Sequence, residues 1–267
     1  MSEKQAERVH TRIWQEVPEP DDSFATRAAY CRGYDVYGEM LGQARWVDML
    51  HLLFRGEVPT AAQAALLETL AVALANPGPR DPAVHAAMCA GVGGSTAAAS
   101  LMAALAVGAG QYTGARGVYL AMVAWDALGD DLSAWQRWLR MPPAAVAGIW
   151  PACDHAPGFD PHGVAATTPV KQTLACLAQL SPGRRLSWLA VNRDALEAAA
   201  GLPIAMNLVV AAALADLDLT PDQGEMLHLL LRLPGAAAHA LEQRQTGHRK
   251  FPLFELELMN DPKLEAA

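Results

Sequence analysis

The sequence predicts an all-α fold, on the evidence of its composition, its periodicity and its weak strand signals. Alanine-rich stretches such as 97–99 and 211–213 favour helices that pack closely through small side chains. Apolar residues recur at helical spacing along most of the 267-residue chain, whereas runs of alternating β-branched residues are nearly absent. Because 52% of the residues are hydrophobic, the chain can bury a sizeable core.

Charge and cysteine usage narrow the classes of function. The net charge is -8 with both signs mixed, and basic residues cluster only in pairs, so no nucleic-acid partner is predicted. The apolar run 91–110 is broken by glycines and predicts buried helices, not a membrane span. The cysteines show no CxxC spacing and the N-terminus shows no signal-peptide pattern, which predicts reduced thiols and a cytoplasmic location. These cysteines are Cys31, Cys89, Cys153 and Cys176.

The first elements follow from local start and stop signals. Residues 1–35 are polar and rich in breakers, so they predict an N-terminal arm that wraps the surface or a partner. The apolar pattern over 36–54 predicts a helix that ends near Arg55, with Gly56 as its C-cap. Thr60 is the predicted N-cap of a second helix, which stops at the Pro/Gly-rich stretch that begins at residue 76.

The same signals predict the remaining helices and one distinctive loop. The predicted helical ranges are 81–91, 95–109, 114–128, 131–139, a shorter helix that begins at 141–143, then 168–180, 187–200, 204–214 and 223–244. The loop reads Pro157-Gly158-Phe159-Asp160-Pro161-His162-Gly163 and is called the Pro-Gly-Phe loop below. Its two prolines and two glycines at such short spacing exclude a regular element there.

Several segments, in this order, resemble the citrate synthase superfamily, especially its short citryl-CoA-lyase-like branch, which also supplies the C-terminal module of ATP-citrate lyase. The resemblance implies an almost wholly helical fold, two domains that close over a thioester, and an obligate homodimer. It implies a large domain of 36–140 and 215–267 and a small domain of 141–214 that carries the Pro-Gly-Phe loop. The matching segments are Arg32-Gly33-Tyr34-Asp35, residues 52–60, residues 109–115, Pro157-Gly158-Phe159, and Arg232 through Gly235 with Ala238, His239 and Glu242.

The resemblance also implies acid–base chemistry on an enol, with several positions substituted. Family members polarise the thioester carbonyl with a histidine in an HGGA-like turn, and here Tyr112 stands at that position. The family aspartate that removes the α-proton aligns with Val209 in Asn207-Leu208-Val209, and a valine accepts no proton. A second family histidine aligns with Pro161, with His162 one residue further on. Tyr112 and His162 are therefore the candidate catalytic residues.

The implied acceptor site has lost most of its charge. Family members hold a dicarboxylate with a histidine and arginines, and of these positions only Arg232 keeps a guanidinium. The others read Pro77, Val170 and Phe251. Since each charge-assisted hydrogen bond contributes about 1.5–3 kcal/mol, their loss predicts weak affinity for oxaloacetate or citrate.

Several polar residues allow more than one interpretation. Tyr112 is either a hydrogen-bond donor in a rebuilt pocket or a packing aromatic, and Arg232 needs an anionic partner that is either a ligand or a carboxylate of the chain. His155, His162 and Asp160 lack an established metal-ligand spacing, so no metal is predicted. The spacing of His239 and Glu242 indicates a local contact on a helix, not a catalytic pair.

Two functions are consistent with these residues. The first is an enzyme that handles a coenzyme A thioester and makes or breaks a carbon–carbon bond, as an acyltransferase or lyase with an altered acceptor pocket. Pro157, Gly158 and Phe159 would then bind coenzyme A, and no covalent cofactor is expected. The second is a catalytically inactive homologue that acts as a coenzyme A-binding, regulatory or scaffolding homodimer; the loss of the general base favours it.

Overall fold

The computed structural model describes residues 10–140 and 155–250, which contain ten α-helices and a small sheet. The strands are β1 (Trp14–Pro18), β2 (Thr26–Cys31) and β3 (Tyr34–Asp35). The helices are α1 (Trp46–Arg55), α2 (Ala61–Leu74), α3 (Pro82–Val92), α4 (Ala97–Gly108), α5 (Ala115–Leu128), α6 (Leu132–Arg140), α7 (Thr168–Leu180), α8 (Arg185–Ala200), α9 (Met206–Asp216) and α10 (Pro221–Thr246). None of the helices in the described ranges combines the length and apolar character that crossing a bilayer requires. The predicted all-α class is confirmed, apart from the sheet.

The sheet lies in the segment that the sequence predicted as an arm. Strands β1, β2 and β3 are antiparallel and hydrogen-bonded in that order. A two-residue turn joins β2 to β3 through Arg32 and Gly33, whose positive φ angles of 51° and 93° suit a type I′ hairpin. The sheet was not predicted because β2 contains two alanines and a charged residue, which are weak strand formers. Whether the first residues contact a partner stays a prediction.

Local capping signals placed most helices correctly. Gly56 ends α1 in the left-handed conformation with φ 87°, as predicted. The Thr60 side chain accepts from the backbone N–H of Gln63, and the Gln63 side chain accepts from the backbone N–H of Thr60, which together form a capping box at the start of α2. Most later helices begin and end within about two residues of their predicted bounds. The helix predicted to begin at 141–143 lies outside the described residues.

The predicted helix over 36–54 is the main exception, because it is two elements. A single π-helical turn spans Val36–Met40 and is capped by the carboxylate of Asp35, which accepts from the backbone N–H groups of Tyr37 and Gly38. Gly42 then turns the chain with φ 80° before α1 begins at Trp46. The apolar spacing continues through this turn, which is why the pattern read as one helix.

The chain divides into two compact units. The first comprises the described residues of Met1–Asn76 and Gly108–Arg232, and the second those of Pro77–Val107 and Leu233–Ala267. The second unit has a small core of mostly alanine, formed by Val84, Ala87, Ala104, Ala236 and Ala240. The large and small domains implied by the family resemblance divide the chain differently and stay a prediction.

Helix α9 is the centre of the first unit. Its residues 208–214 have no solvent-exposed surface, and the helix packs against α2, α5, α7 and α8. A helix that is apolar on every side is stable only when other elements surround it. The burial of α9 therefore requires the neighbouring helices to pack around it.

The C-terminal end of α9 carries a buried carboxylate. The side chain of Asp216 has no exposed surface. It accepts hydrogen bonds from the Ser181 hydroxyl at 2.7 Å and from the backbone N–H groups of Arg185 at 2.9 Å and Leu186 at 3.0 Å. The last two groups lie in the first turn of α8 and have no acceptor within that helix, so Asp216 satisfies this helix terminus and ties α8 to α9.

Replacing the Asp216 carboxylate by an amide tests this connection. In Asp216→Asn, one carboxylate oxygen becomes an N–H₂ group, so one of the two backbone N–H groups at the start of α8 loses its acceptor and faces another donor. We expect the free energy of unfolding to fall by about 2–4 kcal/mol. Urea denaturation measures the change. Asp218→Asn is the matched control, since Asp218 is exposed and an asparagine tolerates its left-handed φ of 56°. Equal stability of Asp216→Asn and wild type would contradict the structural role.

Candidate functional site

The turn before α5 is closely packed backbone, and it is called the Tyr112 turn (residues 110–114) below. A Cβ atom on Gly114 would overlap the carbonyl oxygens of Gly108 and Gly110. A Cβ atom on Gly117, one turn into α5, would lie 2.8 Å from the side-chain nitrogen of Asn207. That nitrogen, Nδ2, donates to the Gly114 carbonyl oxygen at 3.3 Å. Glycine is therefore required at these positions so that the turn can approach the start of α9.

Gly158 brings the Pro-Gly-Phe loop against the same end of α9. Its φ of 89° lies in the left-handed region, and an added Cβ would come within 2.8 Å of the Cβ of Leu208. Its carbonyl oxygen accepts from the backbone N–H of Ala205, the N-cap of α9, at 2.8 Å. Both the conformation and the close contact exclude a larger residue here.

The next two residues hold the loop in place by backbone pairing. Phe159 is buried and forms an isolated antiparallel bridge with Ile204. The backbone N–H of Asp160 donates to the Pro203 carbonyl oxygen at 2.9 Å. The Pro-Gly-Phe loop is thus fixed along the segment that leads into α9, and it meets the Tyr112 turn at the N-terminal end of that helix.

Tyr112 and His155 face one another at this place. Their ring centroids are 6.3 Å apart and the ring planes differ by 28°. Tyr112 is 52% exposed, so it is not a packing aromatic of the core, and His155 is half-buried. The sequence pointed to His155 only as a possible metal ligand, and this pairing was not predicted. Its position two residues before the Pro-Gly-Phe loop was the available signal.

His162, the predicted catalytic histidine, lies in an exposed turn of the loop. Its backbone N–H donates to the carboxylate Oδ1 of Asp160 at 2.9 Å, a side-chain turn that fixes the backbone and leaves the ring in solvent. The histidine that stacks with Tyr112 is His155. The catalytic role of His162 stays a prediction.

The polar side chain at the start of α9 is Asn207. Val209, which the sequence alignment placed at the position of the family base, has no exposed surface and belongs to the core. No side chain at that position can meet a ligand without unpacking the helix. Asn207 is half-buried and reaches the Tyr112 turn through the Gly114 contact. Val170 is likewise buried in the core, and Phe251 lies outside the described residues.

Arg232, the predicted substrate-binding residue, lies half-buried on α10. Its Nη1 atom is 3.4 Å from Nε2 of His228, one turn earlier. Burial, together with the charge of Arg232, lowers the pKa of His228 to about 3, so the imidazole is neutral and accepts from the guanidinium. His228 is thus a neutral partner of Arg232 and helps to orient the guanidinium.

An ion pair joins α5 to the first part of α10. Arg116 Nη1 lies 3.5 Å from Glu225 Oε2, and both side chains are about three-quarters buried. Burial raises the pKa of Glu225, and the guanidinium of Arg116 partly opposes this effect. Arg116 also lies over the Tyr119 ring, 3.8 Å from its centroid. This carboxylate is therefore engaged in holding two helices together.

Two further predictions concern histidines. His239 Nδ1 lies 3.5 Å from Glu242 Oε2, which is the local contact that their spacing indicated. Across residues 10–140 and 155–250, the structure brings together no group of three side chains suited to hold a metal ion.

The similarity to known proteins lies in the fold. No protein-family model matches the sequence, and no curated protein does. Among solved structures, citryl-CoA lyase from Hydrogenobacter thermophilus superposes with a TM-score of 0.70 at 17% identity, over 96% of this chain and 99% of that one. The chain has the citrate synthase-like fold.

Other structures with the citrate synthase-like fold include longer chains. ATP citrate lyase from Methanothrix soehngenii, in complex with citrate and coenzyme A, has a TM-score of 0.71 at 14% identity, over 96% of this chain but only 43% of its own. Citrate synthase from Thermoplasma acidophilum, with carboxymethyl coenzyme A and oxaloacetate, has a TM-score of 0.60 at 15% identity, over 83% of this chain and 60% of its own. The fold implied by the sequence resemblance is thereby confirmed.

Within the citrate synthase-like fold, Gly158 offers a test of how tightly the Pro-Gly-Phe loop is placed. In Gly158→Ala, the left-handed φ and the overlap with Leu208 act together, and we expect the free energy of unfolding to fall by about 2–5 kcal/mol. Gly201→Ala is the matched control, because Gly201 has a φ of 67° but open space around its Cβ. Gly201→Ala therefore measures the cost of the left-handed backbone alone, which is about 1–2 kcal/mol. Equal losses in urea denaturation would refute the close contact.

Proposed function

We propose that this protein binds a coenzyme A thioester where the Pro-Gly-Phe loop meets the Tyr112 turn, and that it makes or breaks a carbon–carbon bond beside the thioester carbonyl. The observation that carries the proposal is the convergence of both segments on the start of α9, through the Ala205–Gly158 and Asn207–Gly114 hydrogen bonds. Solved proteins of the same fold bind coenzyme A or a derivative of it.

The Pro-Gly-Phe loop suits a preformed binding site. Pro157, Gly158 and Phe159 are proposed to contact coenzyme A through their backbone atoms. The buried Phe159 side chain anchors the loop to the core. Within the loop, the Phe159 N–H donates to the Ala156 carbonyl at 3.3 Å, and the Gly158 carbonyl is already paired with Ala205. Because these contacts fix the loop before a ligand arrives, little conformational entropy is lost on binding.

The remaining site residues have separate proposed roles. The exposed phenol of Tyr112 donates a hydrogen bond to the thioester carbonyl oxygen, and this bond strengthens as negative charge develops there. His162 and Arg232 are proposed to bind the acceptor, with Arg232 held at one end by His228. Since the buried Val170 supplies no charge, we infer an acceptor with fewer carboxylates than citrate or oxaloacetate.

One observation favours the alternative of an inactive, coenzyme A-binding regulatory or scaffolding homodimer. We infer that Asn207, and not Val209, occupies the position of the family base, because it is the side chain at the start of α9 that reaches the Tyr112 turn. An asparagine amide neither gains nor loses a proton near neutral pH. An active enzyme therefore needs its base from another residue.

Calorimetric titration with coenzyme A and acetyl-CoA, followed by thiol release with a series of 2-oxo acids, tests both candidates. We expect binding, and turnover that falls at least about tenfold in Tyr112→Phe, because one donor to the developing oxyanion is lost. Tyr37→Phe is the matched control, since Tyr37 is a similarly exposed tyrosine of the first unit. Binding without turnover would select the inactive homologue, and absence of binding would sink both candidates.

We also propose that the protein is a homodimer assembled through the second unit. Its alanine-rich core is small, while Met102 on α4 and Leu241 on α10 are 65% and 55% exposed. Exposed apolar side chains of this kind are stabilised when a second copy of the chain covers them. A cytoplasmic location for this dimer stays a prediction from the sequence.

Light scattering at micromolar concentration should give twice the mass of one chain. The double variant Met102→Glu/Leu241→Glu should shift the protein to a monomer, because charges would be buried at the interface. Val191→Glu, at an exposed apolar residue of α8 in the first unit, is the control and should remain dimeric. A monomeric wild-type protein would refute the dimer.

A further inference from the structure

We propose that His155 is the catalytic base of the site and acts together with Tyr112. This assignment rests on the proposed function, since it concerns the thioester bound there. It supplies the proton acceptor that neither Asn207 nor Val209 can provide, and no family role was assigned to this position by the sequence resemblance.

The rings of Tyr112 and His155 are placed side by side. Tyr112 and His155 come from different parts of the chain, yet their rings are nearly parallel with centroids 6.3 Å apart. Tyr112 is more than half exposed and His155 is half-buried. A small acyl group that contacts the phenol is therefore within reach of the imidazole as well.

Both residues also adjoin backbone that is held in place by hydrogen bonds. His155 precedes Ala156, which is buried and whose carbonyl accepts from Phe159, and Phe159 is held by its bridge to Ile204. Tyr112 lies two residues before Gly114, whose carbonyl accepts from the Asn207 side chain. A general base must keep its position relative to the reacting atom, and these contacts supply that positioning.

Three other proton acceptors on α9 and α10 are paired or buried. Glu225 is paired with Arg116, and His228 is almost wholly buried with a pKa of about 3, which makes it a weak base. Asp216 is buried and holds the start of α8. His155 combines a basic nitrogen with partial exposure and a place beside Tyr112.

The proposed step balances without a cofactor. The neutral imidazole of His155 takes a proton from the α-carbon of the thioester, so that a C–H bond breaks and an N–H bond forms. The electron pair of the C–H bond forms the carbon–carbon double bond of the enolate, and the carbonyl π electrons move to the oxygen. The Tyr112 hydroxyl donates a hydrogen bond to that oxygen. Return of the proton to carbon reverses the step.

Hydrogen–deuterium exchange of the acetyl-CoA methyl group in D₂O measures this step without an acceptor. We expect wild-type protein to exchange the methyl protons, as followed by proton NMR, and His155→Gln to be at least about 100-fold slower. Acetyl-CoA affinity in calorimetry should change by less than about threefold, and the unfolding midpoint should be kept. His85→Gln is the matched control, because His85 is an exposed histidine on α3, and it should exchange at the wild-type rate.

The outcomes separate the two proposals. If wild-type protein binds acetyl-CoA and His155→Gln exchanges at the same rate, or if His162→Gln alone abolishes exchange, the assignment of His155 is overturned. Binding by wild-type protein with no exchange also overturns it, while coenzyme A binding stands. If wild-type protein does not bind acetyl-CoA, the proposed function itself fails and the assignment fails with it.

Discussion

The complete burial of α9 is the constraint on which the rest of the first unit depends. Residues 208–214 have no contact with solvent, so every face of the helix needs an apolar neighbour. Polar groups can be accommodated only at its two ends. At one end Asp216 accepts from the start of α8, and at the other Asn207 donates to the Tyr112 turn. The same helix therefore organises the core and presents one terminus to the candidate site.

This constraint decides which side chains can take part in chemistry. Because α9 is enclosed from Leu208 onward, the Pro-Gly-Phe loop approaches it only where Gly158 has no side chain. The last polar position before the enclosed part is Asn207. A catalytic side chain at the following positions would have to unpack the helix, so the acid–base groups must come from the loops that meet its terminus. Tyr112 lies in the Tyr112 turn, and His155 lies two residues before the Pro-Gly-Phe loop.

The parts of the structure that depend on neighbouring residues were predictable from the sequence. Gly56 and Thr60 mark helix ends through contacts within a few residues, and both were placed correctly. The sheet was missed because its stability comes from pairing and burial of one face, not from strong strand formers. Val209 was aligned with the family base because a comparison of short motifs carries no information on burial. The Tyr112–His155 pairing is a tertiary contact between distant segments, which no local pattern reports.

The glycines of the candidate site are explained by folding alone, whereas the Tyr112–His155 pair is not. Gly114 and Gly158 are required by close backbone packing, so they would be needed in an active enzyme and in a silent homologue alike. Their agreement with family motifs therefore supports the fold and not the chemistry. Tyr112 and His155 are under no such requirement, since the first is largely exposed and the second only half-buried. An exposed phenol beside an imidazole contributes little to folding, and its placement next to a rigid turn and a rigid loop is the feature that favours a reaction over a scaffold.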